Sequence, residues 1–283
     1  ARYRFHHAKY AVVDERAVVT TENWKPSGVG GNASRGWGVI ASQSEVVESL
    51  ATTFRADTGA LDARPWSAVR ANRSFHPARN PPANGSYPTR FAPRSVPVNG
   101  TRLVVAPDNA ETELRSLLSN ATESLDVQQM ALGGRNTPPV RATLDAARRG
   151  VEVRILLSSA WYVREDNKRL AEWLNDRADR ENLPLEARLA DPRGRFEKIH
   201  SKGVIVDGEQ VLVGSINWNN NSLRNNREVG VVLSGQAVGA YYEEVFEADW
   251  LGGVQRLPVG LLVALAVAVV VAAIRLRRIS FVK

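Results

Sequence analysis

Residues 200–217, HSKGVIVDGEQVLVGSIN, decide the fold, because the chain carries a second version of this stretch at residues 7–23, HAKYAVVDERAVVTTEN. Both versions contain a histidine, a lysine two residues later, an aspartate five residues after that, and an asparagine at the end. Equivalent positions stay 192 to 194 residues apart, from the histidines to phenylalanines 54 and 246. A separation held so constant over about 45 residues predicts two copies of one structural unit.

The repeated residues suit phosphodiester chemistry. In a strand, the first and third residues of His-x-Lys point to the same face, so the imidazole and the ammonium project together. Brought across a pseudo-two-fold axis, one imidazole attacks phosphorus and the other protonates the leaving alkoxide and then activates water or an alcohol. Lysines and amides stabilise the equatorial oxygens, so we expect no metal and no other cofactor. The expected catalytic residues are His200, His7, Lys202, Lys9, Asn217 and Asn23, and the supporting residues are Asp207, Asp14, Ser215 and Thr21. Strand parity places the two aspartates on the opposite face, where we expect structural hydrogen bonds or ion pairs.

The second copy resembles the phospholipase D superfamily, whose signature is His-x-Lys-x4-Asp-x6-Gly-Ser-x-Asn, and it matches every defined position. The resemblance implies a bilobal α/β/α sandwich and a phosphohistidine intermediate. It also implies that Glu228 is the carboxylate that hydrogen-bonds the catalytic His200. The superfamily includes lipid phosphodiesterases, cardiolipin and phosphatidylserine synthases, metal-independent nucleases and tyrosyl-DNA phosphodiesterases. The last lack the aspartate and are disfavoured.

The first copy departs from this pattern. Thr20 and Thr21 replace Gly-Ser, the gap after the aspartate is one residue shorter, and Gly36 aligns with Glu228. His7 therefore has no assigned carboxylate, although Glu22 or Glu45 are candidates. On this asymmetry we predict His200 as nucleophile and His7 as general acid/base, against the superfamily's commoner pattern.

Hydrophobic periodicity predicts strands alternating with helices, which indicates an α/β fold. The predicted strands are 11–13, 17–19, 38–41, 103–106, 125–130, 151–157, 199–206, 210–214 and 229–233, and the predicted helices are 44–56, 111–124, 140–149, 165–179 and 237–250. About 99 residues of a lobe precede His200, whereas six residues precede His7, so we expect the first lobe to be N-terminally incomplete.

Composition divides the chain further. The expected divisions are the C-terminal part of a first lobe (1–63), a Pro/Arg-rich linker (64–100), a second lobe (101–250), a tether (251–256), a transmembrane helix (257–274) and a basic cytoplasmic tail (275–283). Seven arginines and no acidic residue lie between Arg64 and Arg102, and the remaining residues carry 30 basic and 30 acidic groups. This linker is either a strip that attracts polyanions or a solvated connector.

Residues 257–274, LPVGLLVALAVAVVVAAI, form an uncharged run followed by three arginines and a lysine. At about 1.5 Å per residue the run spans roughly 27 Å, close to the thickness of a hydrocarbon core. Positive charge after the span predicts a single-pass protein of the cell membrane with a cytoplasmic C-terminus and an extracytoplasmic catalytic domain. The chain has no cysteine, which excludes disulfides and thiolate chemistry.

Three function classes remain open. A phospholipid-directed hydrolase or transferase is favoured, since the site would be tethered close to a membrane. A surface nuclease would use the same site and the arginine strip on DNA or RNA, with Trp24, Trp37 and Trp218 as candidate stacking platforms. The third class is a degenerate binding module without activity. The oligomeric state stays open.

Overall fold

The computed structural model describes residues 2–29, 33–71, 73–76 and 90–252. The strands are β1 Tyr10–Val13, β2 Arg16–Thr20, β3 Ser34–Arg35, β4 Gly38–Ala41, β5 Gly100–Ala106, β6 Ser124–Gln129, β7 Glu152–Leu157, β8 Leu185–Leu189, β9 Lys198–Ile199, β10 Lys202–Val206, β11 Gln210–Gly214 and β12 Glu228–Ser234. The helices are α1 Ser44–Thr58, α2 Trp66–Ala71, α3 Ala110–Ser119, α4 Pro138–Arg148, α5 Arg164–Glu181, α6 Asn220–Arg224 and α7 Gln236–Trp250.

The second lobe is built on a seven-stranded mixed sheet in the order β5-β12-β11-β10-β6-β7-β8. Both faces of this sheet are covered, and side chains of β10 alternate between them. Val204 and Val206 pack in one apolar core with leucines of α3 and α5, whereas Ile205 packs in a second core with α7. Burial on both faces explains why the strands around the motif are almost continuously apolar.

The first lobe repeats the hairpin of the second. Its three-stranded antiparallel sheet has the order β1-β2-β4, and α1 packs against it. The hairpin turns match closely, because Asp14 and Asp207 both adopt left-handed backbone with φ of 51° and 52°. Strands β1, β2 and β4 therefore correspond to β10, β11 and β12.

The lobes are joined by reciprocal contacts. Strand β3 pairs in parallel with β9, and an isolated parallel bridge joins His6 to Arg227. Two ion pairs also cross the interface. Arg227 Nη2 lies 2.8 Å from Asp57 Oδ1 of α1, and Arg35 Nε lies 2.8 Å from Asp249 Oδ2 of α7. The two arginines, like the two aspartates, are 192 residues apart. The two lobes therefore contribute equivalent residues to the interface between them.

Several predicted boundaries are wrong. The predicted strand 199–206 is interrupted at His200 and Ser201, because the backbone N–H of His200 donates to Arg35 O of β3 at 2.9 Å rather than to a neighbour in the seven-stranded sheet. The predicted helix 111–124 ends at Ser119, and Ser124 already begins β6. Helix α2 lies within the predicted linker, directly after Pro65, where proline suits a helix start. Strands β3 and β8 and helix α6 were not predicted.

The end of the predicted linker packs on the second lobe. Arg94 Nη1 lies 2.6 Å from Glu244 Oε2, and the Tyr241 hydroxyl donates to Ala92 O at 3.2 Å. This part of the linker is anchored to α7 and is not a free connector.

The predicted membrane span lies outside the described residues, as do most of the tether, the basic tail and residues 77–89 of the linker. Among the helices that the structure describes, none combines the length and the apolar character that crossing a bilayer requires.

Candidate active site

The two histidines of the motif lie at the contact between the lobes. The backbone N–H of His7 donates to Arg227 O at 2.9 Å, as that of His200 does to Arg35 O. Each lysine turns back toward its own histidine. Lys202 Nζ donates to His200 O at 2.6 Å, and Lys9 Nζ donates to His7 O. Each histidine is therefore positioned by the opposite lobe, and a lysine lies next to each.

The carboxylate of Glu228 binds His7 and not His200, so the predicted partner was wrong. His7 Nδ1 lies 2.7 Å from Glu228 Oε2, while Glu228 Oε1 accepts from Ser222 Oγ at 2.6 Å and from Asn226 Nδ2 at 3.0 Å. The cause is the contact between the lobes. Glu228 is the first residue of β12, and the residue before it, Arg227, forms a bridge with His6, so the Glu228 carboxylate lies next to His7. Burial would raise the pKa of Glu228, but the hydrogen bonds from His7, Asn226 and Ser222 hold it below its usual range. An ionised carboxylate at this position keeps the Nδ1 proton on His7.

His200 has a different set of partners. Its Nδ1 lies 3.0 Å from Thr21 O and 3.5 Å from Glu22 Oε2, and Lys202 Nζ lies 3.1 Å from the same nitrogen. Two acceptors from the first lobe favour the tautomer with the proton on Nδ1, and in that tautomer the lysine approach is not a hydrogen bond. Burial lowers the pKa of His200, with Lys202 and Lys9 acting in the same direction and Glu22 opposing them.

Asn23 lies where two cavities meet. It lines a cavity of about 360 Å³ beside His7 and Lys9, and a narrower one of about 70 Å³ beside His200. In the second lobe, the backbone N–H of Asn217 donates to Ser222 Oγ at 3.0 Å, and its buried Oδ1 has no partner among the described residues. Of the two predicted amides, Asn23 is therefore the one that lines both cavities.

The hydroxyls of the supporting residues Ser215 and Thr21 bind the backbone of the following strand. Ser215 Oγ accepts from Val229 N at 3.0 Å, and Thr21 Oγ1 accepts from Trp37 N at 2.9 Å in the equivalent position. Both hydroxyls hold the following strand, which explains why threonine can replace serine here. Asp207, for which structural hydrogen bonds were predicted, accepts hydrogen bonds from the backbone N–H groups of residues 122–124. Asp14 occupies the equivalent turn.

Aromatic side chains lie exposed at the mouth of the site. Trp24 lines the cavity beside His7 and is 59% exposed, whereas its counterpart Trp218 is fully buried in the core. Tyr162 lines the cavity beside His200, and the adjacent Trp161 is 88% exposed. This Trp-Tyr pair was not among the predicted site residues, although its position shortly after the buried strand β7 was a usable signal.

Burial lowers the pKa of both lysines. The pKa of Lys202 falls to about 7 and that of Lys9 to about 8, although Glu228 and Glu22 oppose the shift. Above these values the lysines are neutral and attract a phosphate diester less. We therefore expect kcat/KM for a soluble activated diester to fall as pH rises through this range, which a pH–rate profile measures.

Lys202→Arg is the matched control for this profile, because a guanidinium stays protonated and should move the alkaline decline to higher pH. A wild-type profile that stays flat up to the ordinary lysine pKa of 10.5 would contradict the assignment.

Comparisons with known proteins agree with this geometry. The family model described as the cardiolipin synthase, phospholipase D-like domain matches residues 114–250. Cardiolipin synthase A of Cronobacter sakazakii is 33% identical over 106 residues, covering 38% of this chain and 20% of that protein. Cardiolipin synthase A of Yersinia pseudotuberculosis is 31% identical with the same coverage. The match thus spans about a fifth of the length of these relatives.

A solved structure extends the likeness to the first lobe. The crystal structure of phosphatidylserine synthase from Haemophilus influenzae superposes with a TM-score of 0.58 at 16% identity, covering 85% of this chain and 61% of that one. At this identity the likeness concerns the fold. Residues 114–250 therefore form a phospholipase D-like domain, and the first lobe repeats the His-x-Lys motif of that domain.

Proposed function

We propose that this chain is a phosphodiesterase that works through a phosphohistidine on His7. The observation that carries the proposal is the 2.7 Å contact between His7 Nδ1 and the buried Glu228 carboxylate. With Nδ1 holding its proton for Glu228, the unprotonated Nε2 is the nitrogen left to attack. Glu228 also stabilises the positive charge that the imidazole gains when it is phosphorylated.

His200 serves as general acid and base in this proposal. As the His7 Nε2–P bond forms and the ester P–O bond breaks, protonated His200 gives its Nε2 proton to the leaving oxygen. In the second half, His200 takes a proton from water or an alcohol, whose oxygen attacks phosphorus and releases His7. Lys9, Lys202 and Asn23 stabilise the charge on the phosphoryl oxygens. These groups supply positive charge without a metal, so we expect turnover in excess chelator.

We propose phospholipid as the substrate. Trp24 and Tyr162 line the two cavities, and the exposed Trp161 packs edge-on against Tyr162. Tryptophan and tyrosine are the side chains that favour the boundary between water and lipid. The relatives named above are cardiolipin synthases. The apolar sequence of residues 257–274 is long enough for a membrane anchor that follows the second lobe. Tyr162 and Trp24 line the two cavities, so lipid contact and chemistry would occur at one surface.

Vesicle assays test the substrate. We expect release of headgroup or phosphatidyl transfer from mixed phospholipid vesicles in excess EDTA, and much slower cleavage of single-stranded DNA. Because burying a large apolar side chain is worth about 1.5–3 kcal/mol, Trp161→Ala should weaken turnover on vesicles roughly tenfold or more. The same variant should keep its rate on a short soluble diester. Trp66→Ala is the matched control, since Trp66 is 62% exposed but packs against Phe75, whereas Trp161 packs against the cavity residue Tyr162.

The other outcomes identify the alternatives. Exposed aromatics also stack on unpaired bases, so cleavage of single-stranded DNA that exceeds lipid turnover would replace the lipid proposal with a nuclease. Diester binding without turnover of either substrate would indicate a binding module.

A further inference from the structure

The carboxylate beside His200 comes from an unexpected position. Glu22 is 7% exposed and lies between Thr21, whose carbonyl contacts His200 Nδ1, and Asn23, which lines both cavities. Its Oε2 is 3.5 Å from His200 Nδ1, and its buried Oε1 has no hydrogen-bond partner among the described residues. A buried carboxylate with so few other partners is costly unless it is compensated by a nearby cation. Lys202 and Lys9 provide part of that compensation, and an imidazolium at His200 adds to it.

The repeat shows how this arrangement differs from the second lobe. Aligned through the two asparagines, Glu22 is equivalent to Ile216, and aligned through Arg35 and Arg227, Gly36 is equivalent to Glu228. Ile216 is 2% exposed and packs in the apolar core. The second lobe thus has an apolar residue before its asparagine and a carboxylate at the start of the next strand. The first lobe has a carboxylate before its asparagine and glycine at the later position.

Gly36 and Glu22 compete for one space. A β-carbon built on Gly36 would overlap the Glu22 side chain, and its three nearest atoms all belong to that side chain. Gly36 is not among the residues with left-handed backbone, so the backbone conformation does not require glycine there. The Glu22 side chain itself excludes a larger residue at position 36.

We propose that Glu22 is the positioning residue for His200, a carboxylate moved from position 36 to position 22 with Gly36 as its necessary complement. The proposal rests on the function proposed above, in which His200 is the general acid and base. Glu22 and Thr21 O together hold the Nδ1 proton and direct Nε2 toward the phosphoryl group. Each lobe then supplies a carboxylate to the other lobe's histidine, but from non-equivalent positions.

The titration of His200 tests this without any substrate. The groups that face or surround His200 are Glu22, Lys202, Lys9, Lys198 and Tyr162. Because the carboxylate favours the imidazolium, Glu22→Gln should lower the pKa of His200 measured by NMR of labelled histidine. The chain has four histidines, and the His200 signal is assigned by its loss in His200→Gln.

A double variant that moves the carboxylate from position 22 to position 36 tests whether either position can supply the partner of His200. Glu22→Ile/Gly36→Glu gives the first lobe the second lobe's residues at both positions. We expect Glu22→Gln and Glu22→Ile to lower kcat on a soluble diester by about 10²-fold, within the range of general acid–base effects. The double variant should recover most of that rate and the His200 pKa, whereas Gly36→Glu alone should be impaired by overlap.

The outcomes separate this inference from the proposed function. A restored His200 pKa in a chain that turns over no phosphodiester would support the positioning role and refute the function. An unchanged His200 pKa in Glu22→Gln would overturn the inference, and so would a folded double variant whose pKa stays as low as that of Glu22→Ile. If the double variant does not fold, the Glu22→Gln titration decides alone.

Discussion

His7→Ala is expected to lower kcat by about 10⁴-fold or more and to abolish the covalent phosphoenzyme, because it removes the imidazole that Glu228 orients for attack. His200→Ala should behave differently with an activated diester, whose leaving group needs no proton. The enzyme should then be phosphorylated but release product slowly, so a labelled intermediate accumulates. An alkaline quench followed by peptide mapping should place the label on the peptide that contains His7.

His76→Ala is the control, since His76 is exposed and lies outside the repeated motifs. A label on the peptide that contains His200 would reverse the assignment and return the nucleophile to the second lobe. Glu228→Gln should resemble His7→Ala in slowing phosphoenzyme formation, because an amide can hold the wrong tautomer of His7.

Arg227→Ala is expected to destabilise the fold by about 3–5 kcal/mol, the usual cost of breaking a buried ion pair. The Arg227 side chain is 2% exposed and binds Asp57 of the first lobe and Asp108 of the second, both at 2.8 Å. Its removal leaves Asp57, 7% exposed, without its closest cation. Urea unfolding monitored by tryptophan fluorescence measures the loss, and Lys168→Ala, from a pair exposed at both partners, should change little.

The double variant Arg227→Met/Asp57→Leu distinguishes charge from packing. If the penalty comes from an unpaired buried charge, removing both charges should restore much of the stability lost in Arg227→Ala. A loss below about 1 kcal/mol in Arg227→Ala would instead mean that the apolar core shared by the lobes stabilises the interface by itself.

The sequence predicted the repeat, the hairpins and the placement of each lysine next to its histidine, because these depend on local pattern and spacing. It failed on the partner of each histidine. Alignment of the copies places Glu228 in the same lobe as His200, and only the parallel contact of β3 with β9 shows that each motif faces the other lobe. Pairing across an interface is a property of tertiary structure, which no spacing within one copy encodes.

Other differences have local causes. Strand β8, Leu185–Leu189, alternates buried and exposed residues and is charged on its exposed face, so its apolar signal was weak. The break at His200 could not be predicted from hydrophobicity, since Ile199 and Val204 are both fully buried on either side of it. Trp24 and Trp218 align in sequence but differ in exposure, which shows that residues in register need not share a role.

The reciprocal pairing across the interface constrains how substrate reaches the site. Separating the lobes would withdraw Glu228 from His7 and Glu22 from His200 in one movement, and would also break both arginine–aspartate pairs. If the lobes opened during each turnover, all of these contacts would therefore have to break and form again in every cycle. Diester entry and product exit are instead expected through the cleft rimmed by Trp24 and Tyr162, with the two halves remaining closed throughout the cycle.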